Sequence, residues 1–584
     1  MKKSLICIFS LMLILTLSFN VGAEDFESRI YPEEYFEEIG DYGGELTLTL
    51  DGSPETFNYY GSLDQNSLSV MLNIFDSLTE PNFITQEMEP QLATDWEIKD
   101  DGKTVIFHLR EGVEWSDGEP FDAEDVIFTF ENITLNPEVE RSEKARFTLE
   151  GEVIEFSKID DMTVRADLPV PYGPFIRIMS HAPIMPEHKL GQYADQPEEL
   201  NEAWGTDTDV DEIVGTGPFK LQSYEPDQMV TLSRNPNYYG YDEDGNQLPY
   251  IDQLTFLIIG DSEIQLAEFE AGTVDILGVS GDDYPDLKEQ ELAGADFSVM
   301  ATAPTAAVPS PTHLGFNFDI EDDNLREAFR DVDFRRAVEY SIDREYIIEN
   351  VYNTLAMKSG TPVFETFEDW YNPEIEEIRR GYDPERAEEM LDELGYTDRN
   401  DDGYRQFPDG ERIEFELTAG TSTERSDLAM FIEDFMADVG IEVYLNLIDD
   451  GLIMDQALAG DFEAMIHAYG NQPDPQFRKD VWQPGQDLYY FHQSIQNDEP
   501  DFDKMFDWEV EVYEMFEKGQ VTPEDEDRRE YYDRWQELFA DYLPVIFLTK
   551  EMSVNAVQDH IGNVFLDEDD VFVQQYPTVF IEDN

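Results

Sequence analysis

Two stretches of this chain carry residue types at spacings that could do chemistry. In the first, Asp398-x-Asn400-x-Asp402-Gly403 is followed by Asp409 at the twelfth position. Oxygen ligands at alternate positions, a glycine for the sharp turn and a closing acid are what an EF-hand-like calcium loop requires. The closing residue is Asp rather than a bidentate Glu, and Ile413–Gly420 reads as a strand rather than a second helix. A plain Asx-Gly hairpin loop accounts for the same residues and is the expectation, with a structural calcium as the alternative and no other cofactor. In the second stretch, Gly215-Thr216-Gly217-Pro218-Phe219 clusters two glycines. They open a strand, not a helix, and lack the G-K-S/T ending or third glycine of a nucleotide loop, so turn geometry is expected.

Catalytic signatures are otherwise missing. The sequence has no H-E-x-x-H and no G-x-S-x-G, and its single cysteine, Cys7, lies in an N-terminal apolar segment. Paired carboxylates are uninformative, because 132 Asp and Glu make some close pair inevitable. An enzyme is not the expectation.

The elements that position these loops are α/β in pattern. In Glu89–Ile133, Trp96 and Ile98 alternate with polar neighbours, Asp101-Gly102 reads as a two-residue turn, and Val105, Phe107 and Leu109 resume the alternation. Asp122 then reads as the N-cap of a helix whose Ala123, Val126, Ile127 and Phe130 share one face. Farther on, Asp333 and Asp343 read as caps of two helices, with Phe334, Ala337, Val338 and Ser341 on one buried face and the arginines on a solvated one. Pro304–Pro311, rich in Ala, Pro and Ser, reads as a linker.

Length and charge bound the rest. A chain of 584 residues exceeds one ordinary core. The formal charge of −95 is carried together with 41% hydrophobic and 13% aromatic residues, so the acid must coat a folded surface. Such a coat disfavours binding of nucleic acid or anionic membrane. Only 14 of 37 basic residues are Lys, and acid gain with Lys loss suits high salt, where a Debye length of about 3 Å makes self-repulsion tolerable. At the N-terminus, Lys2 and Lys3 precede an apolar run from Leu5 to Phe19 and the small residues Val21-Gly22-Ala23, the layout of an export signal cleaved after Ala23. No cysteine follows the run, so no lipid anchor is expected, and a periplasm is the expected compartment.

The order W-x-x-x-x-D-G-K-T…F-x-L-R-x-G-V-x-W-x-D-G-x-P-F-x-A-x-D-V, from Trp96 to Val126, resembles the signature of family 5 extracellular solute-binding proteins, the receptors of ABC importers. Further similar segments are Ile184-Met185-Pro186-Glu187-His188, Ile213–Gly240, Thr312–Asp319 and Leu543-Pro544-Val545-Ile546-Phe547, so the resemblance spans most of residues 43–560. It implies a periplasmic-binding-protein-like α/β fold of two lobes plus a small extra domain, with ligand held between the lobes. The implied organisation is first lobe 24–56, extra domain 57–182, first lobe 183–303, second lobe 304–540 and a return to the first lobe over 541–584. A monomer delivering its ligand to membrane permease subunits is implied.

The resemblance also points to Met465–Phe477, MIHAYGNQPDPQF, which aligns by its Asp474-Pro475 with the family pattern G-W-x-A-D-Y-x-D-P-x-x-F. In peptide-binding members the first Asp of that pattern pairs with the ligand ammonium. Here Asn471 stands in its place and Ala468 in place of the Trp. An amide offers donors and an acceptor but no charge to offset an ammonium. Candidate ligand contacts are Asn471, Gln472, Asp474, Tyr469, Tyr60 and Trp482; without Asp474 the set is neutral amides and aromatics, which also suits an oligosaccharide. Oligopeptide is the first expectation and oligosaccharide the alternative. With few histidines and none clustered in sequence, free metal is not expected.

Overall fold

The computed structural model describes residues 27–582 except 63, 306, 307, 379, 498, 568 and 569. The export-signal segment and Cys7 lie outside the described residues.

The hairpin read from the sequence forms, with strands Ala93–Lys99 and Thr104–Leu109 paired so that Trp96 faces Phe107 and Ile98 faces Val105. The turn is longer than expected. Lys99 pairs with Thr104, and Asp100, Asp101 and Gly102 take φ of 55°, 54° and 85°. The short Asp side chains and the glycine make three successive left-handed residues affordable where bulkier ones would strain. Asp122 caps the helix Ala123–Phe128 by accepting from the Glu124 amide at 2.7 Å, and Asp125 returns the bond to the Asp122 amide at 3.2 Å. With Thr163–Asp167 and Glu155–Asp160 the hairpin builds a four-stranded sheet around buried Trp115, Phe107, Phe130 and Phe156.

The first lobe is a four-stranded sheet in the order Phe219–Glu225, Met229–Arg234, Gln253–Ile258, Glu45–Leu50. Its last pair is parallel, with Leu46 beside Leu254 and Leu48 beside Phe256. The glycines of the Gly215–Phe219 motif are needed for close approach: a Cβ on Gly215 would collide with the Ile74 carbonyl oxygen, and one on Gly217 would lie 2.8 Å from it. A second small sheet joins Ile276–Gly278 and Phe297–Thr302 through Ser553–Gln558.

The second lobe holds a six-stranded sheet in the order Ala356–Lys358, Val545–Glu551, Thr312–Phe316, Ala464–His467, Glu414–Gly420, Glu442–Ile448. Helices Val332–Ser341, Pro384–Glu393, Thr423–Asp438 and Asp525–Tyr542 contribute to its core.

Several expectations are corrected. Residues 57–75 supply Phe57, Tyr60, Met71 and Phe75 to the core that also holds the first-lobe sheet, together with Phe128, Ile133 and Val139. Val545–Lys550 are all buried within the second-lobe sheet, so the return to the first lobe starts at Ser553 rather than at 541. An unbroken apolar run is what a strand covered on both faces looks like, and Leu543–Phe547 carries that signal. Asp331, not Asp333, caps Val332–Ser341, accepting from the Asp333 amide at 2.9 Å, whereas Asp343 caps the next helix as expected. Arg335 is not on a solvated face. It is 2% exposed and donates to the carbonyls of Leu543 at 2.8 Å and Tyr542 at 2.6 Å, closing the end of Asp525–Tyr542. Burial pushes its pKa down to about 9.

Candidate functional site

The strand Ala464–His467 ends beside the chain crossing that enters the second lobe, with His467 paired to His313 in register. The loop that follows is pinned to this crossing: the Tyr469 amide donates to Ser310 Oγ at 2.9 Å and the Ser310 amide to the Tyr469 carbonyl at 2.7 Å. Tyr469 donates its hydroxyl to the Leu488 carbonyl at 2.7 Å, and Trp482 meets its ring edge-on at 5.7 Å. Both rings are buried in the second-lobe core and serve as the floor under the loop.

Asp474 is spent on structure. Its carboxylate receives both Nη atoms of Arg528 at 2.8 Å, and its Oδ1 also caps the following turn through the Gln476 amide at 2.9 Å. Arg528 is fully buried, lies 4.7 Å from the Trp370 ring centroid, and donates to the Gly519 carbonyl and to Asp525. Burial alone would depress the guanidinium, yet the Asp474 charge together with Tyr532 and Asp525 holds its pKa well above the ordinary value. This clamp fixes the loop that carries Asn471, Phe477 and Arg478. Asn471 accepts from the Gln472 amide at 2.9 Å through Oδ1, while its Nδ2 is buried with no partner.

Tyr60 is not with them. It sits in the first-lobe core, its hydroxyl within 3.1 Å of the Pro183 carbonyl and of Thr134 Oγ1. Its neighbour Tyr59 is buried in the same core. The Arg141 guanidinium lies 4.3 Å from the Tyr59 ring centroid, and the Tyr59 hydroxyl donates to the His181 carbonyl at 3.4 Å.

The two walls meet. The Phe477 ring from the second lobe packs edge-on to His181 at 5.7 Å, and the Gly173 amide donates to the Gln520 carbonyl at 2.8 Å. Beside this contact several buried polar atoms have no hydrogen-bond partner: Arg141 Nε and Nη1 on one wall, Asn471 Nδ2, Arg478 Nε and Asp480 Oδ1 on the other. Such atoms are rare in native interiors, and each calls for a partner such as an ordered water or another molecule. Arg478 and Asp480 approach only to 3.9 Å. Burial raises the Asp480 pKa against the opposing pull of Arg478. His181 is held down to about 4 by burial and then by Arg146, Arg177 and Arg141, so it is neutral at pH 7.

Arg141, Arg478 and Asp480 were not among the residues expected from sequence. A signal existed: Arg141-Ser142-Glu143-Lys144-Ala145-Arg146 puts three basic residues into six positions of a chain with only 37. The structure also pairs two histidines, His313 and His467, that are far apart in sequence, with ring centroids 6.1 Å apart.

The Asp398–Asp409 loop folds as a hairpin. Asn400 Oδ1 accepts from the amides of Asp402 and Tyr404 at 3.0 Å, and the Gln406 amide donates to the Asp398 carbonyl. Asp409 Oδ2 accepts from Asn324 and Asp402 faces Arg412, so Asn400, Asp402 and Asp409 each have a separate partner. Among the described residues no group of three or more His, Cys, Asp or Glu is arranged to hold a metal.

Residues 87–486 match the model of bacterial extracellular solute-binding proteins, family 5 middle. The chain belongs to this family. Among its relatives are the periplasmic alpha-galactoside-binding protein of Rhizobium meliloti, 27% identical over 90% of this chain and 79% of the relative, and the oligopeptide-binding protein AppA of Bacillus subtilis, 26% identical over 73% of each. A solved oligopeptide-binding protein OppA shares the fold, with a TM-score of 0.76, 22% identity and coverage of 94% of this chain and 92% of that one. Family 5 proteins are solute-binding components of ABC importers. No helix of the described residues is long and apolar enough to cross a membrane.

Proposed function

We propose that this solute-binding protein captures oligopeptides by lobe closure, as an exported, periplasmic monomer adapted to high salt, and hands them to its permease. The observation that supports this reading is the set of unpartnered buried polar atoms on the facing walls, which offers a cation, a carboxylate and an amide donor to one ligand. A peptide presents all three complements along an extended backbone, and backbone recognition tolerates varied side chains. The cleft would do no chemistry, since binding energy need only favour the closed state.

Oligosaccharide is the second reading. Asn471 in place of the family acid removes a charge suited to an ammonium, and the relative aligned over 90% of the chain is named for an alpha-galactoside. In both readings the Asp398–Asp409 loop is a hairpin that needs no calcium. Native mass spectrometry of protein purified gently from its host, kept at high salt until the final exchange, tests the assignment. Bound masses spaced by amino-acid residues are expected. Hexose or pentose spacings would overturn the peptide reading in favour of a saccharide.

A further inference from the structure

Two loops of the extra domain reach the second lobe. One is the hairpin tip at Gly102 and the other is Pro169–Pro174, and the Leu168 amide ties them by donating to the Lys103 carbonyl at 2.8 Å. Their seat is the end of helix Asp507–Val521 and the turn Thr522-Pro523-Glu524 that leads into helix Asp525–Tyr542. There the Gly173 amide donates to the Gln520 carbonyl at 2.8 Å, and nearby Phe477 packs against the extra-domain core. That core also buries Tyr238, Tyr239 and Tyr250 from the first-lobe segment, so the extra domain and the first lobe move as one body.

The glycines of the extra domain answer to different needs. Gly118 and Gly151 take a left-handed φ and have no atom within 4 Å of where a Cβ would stand. Gly173 takes no left-handed φ. Yet a Cβ there would collide with the Thr522 carbonyl oxygen and lie 2.7 Å from Cδ and Nε of Arg528. Neither can yield: the first is backbone, and Arg528 is held by Asp474 and by the Gly519 carbonyl. Gly102 needs both freedoms, with a φ of 85° and a Cβ position 2.6 Å from Pro523 Cγ. Gly173 is therefore glycine because of the other lobe, and an open cleft makes no such demand.

We propose that the extra domain is the latch of the closed state, and that the bare backbone of Gly173 is what lets it seat against Thr522. The latch rests on closure around a solute, as read above, and not on which solute is held. Its contacts form whatever fills the cleft, so it sets a ligand-independent part of the open–closed balance. Weakening it lowers apparent affinity for every ligand by one common factor.

The test is the distance between two spin labels, measured by pulsed EPR on the full-length mature protein. Cys7 is the only cysteine and lies in the export-signal segment, so no native thiol competes with the labels. Ile159→Cys on the extra domain and Leu452→Cys on the second lobe place them at exposed positions. Distances are recorded ligand-free, with tetra-alanine and with the alpha-galactoside raffinose, before and after adding Gly173→Ala. A Cβ forced against backbone should cut the closed-to-open ratio about tenfold to a hundredfold in every condition. Pro523→Ala, which removes the ring under Gly102 from the second-lobe side, should shift the ratio the same way, and circular dichroism checks that both variants fold. If the closed distance persists unchanged in both, the latch fails and solute binding by closure stands. If raffinose closes the protein and tetra-alanine does not, the peptide reading fails and the raffinose distances decide the latch. A labelled protein with no closed distance in any condition overturns the latch, because its seam does not form.

Discussion

Replacing Asp474 by Asn separates a structural from a ligand-binding role at the loop below the cleft. Asp474 and Arg528 are 1% and 0% exposed and joined by two bonds of 2.8 Å. Removing one charge of a buried pair costs about 3–5 kcal/mol, because the partner is left uncompensated. Asp525 remains at 2.7 Å from Arg528 but is half exposed, so it returns only part of the lost interaction. The amide also keeps an acceptor for the Gln476 N–H. The lower end, ~3 kcal/mol, is therefore expected. For a cooperative unit of this lobe's size, that amounts to a fall of ~6–12 °C in Tm. Scanning calorimetry should show the loss in one transition, and ligand affinity measured well below that transition should change less than tenfold. An unchanged Tm with a hundredfold loss of affinity would mean that Asp474 faces the ligand, and the clamp described here would be wrong.

Other outcomes follow from the same contacts. Burial, then the neighbouring Glu424, raises Glu551 from an ordinary 4.5 to about 7 against the pull of Arg425. A raised carboxylate pKa contributes stability present at low pH and lost as pH climbs from about 4.5 through about 7. Glu551→Gln should thus raise Tm at pH 8 and not at pH 4, and a pH-independent change would refute it. Gly215→Ala must move the Ile74 carbonyl, so it should cost more than ~3 kcal/mol by denaturant unfolding; a neutral effect would contradict the close approach. At −95, self-repulsion should make Tm climb as NaCl is raised toward molar concentration. A flat salt response would contradict an acid coat maintained by screening.

How much was legible in the sequence depended on whether the controlling interaction was local. The Asp122 cap and its apolar helical face involve neighbours within one turn, and they form as read. The Gly215-Thr216-Gly217 motif was legible as a turn, but its collision partner Ile74 is about 140 residues away and was not. Position within the motif put Asn471 on the loop that follows Tyr469, whose ring packs on Trp482. It could not show that Asp474 is consumed by Arg528, 54 residues on, nor that Tyr60 is held in the first-lobe core by Thr134 and Pro183. Those partners lie far along the chain, and only the packing brings them together. Arg335 makes the same point: its composition reads as solvent-facing, and the carbonyls it caps belong to a helix 200 residues later.

The unpartnered polar atoms explain how a ligand can govern closure here. Arg141, Asn471, Arg478 and Asp480 each carry at least one buried donor or acceptor without a partner. Leaving such a group dry costs about 1–3 kcal/mol, but the Arg478 and Asp480 side chains are 20% and 47% exposed, so only part of that applies to them. Opening returns those atoms to water and removes it. Driving a two-state equilibrium from 1:99 to 99:1 needs about 5.5 kcal/mol of differential affinity, to which these groups contribute a share. The contacts already made across the interface, His181 on Phe477 and Gly173 on Gln520, are the same whatever lies in the cleft. They set where the lobes meet, and the polar atoms set which ligand lets them stay.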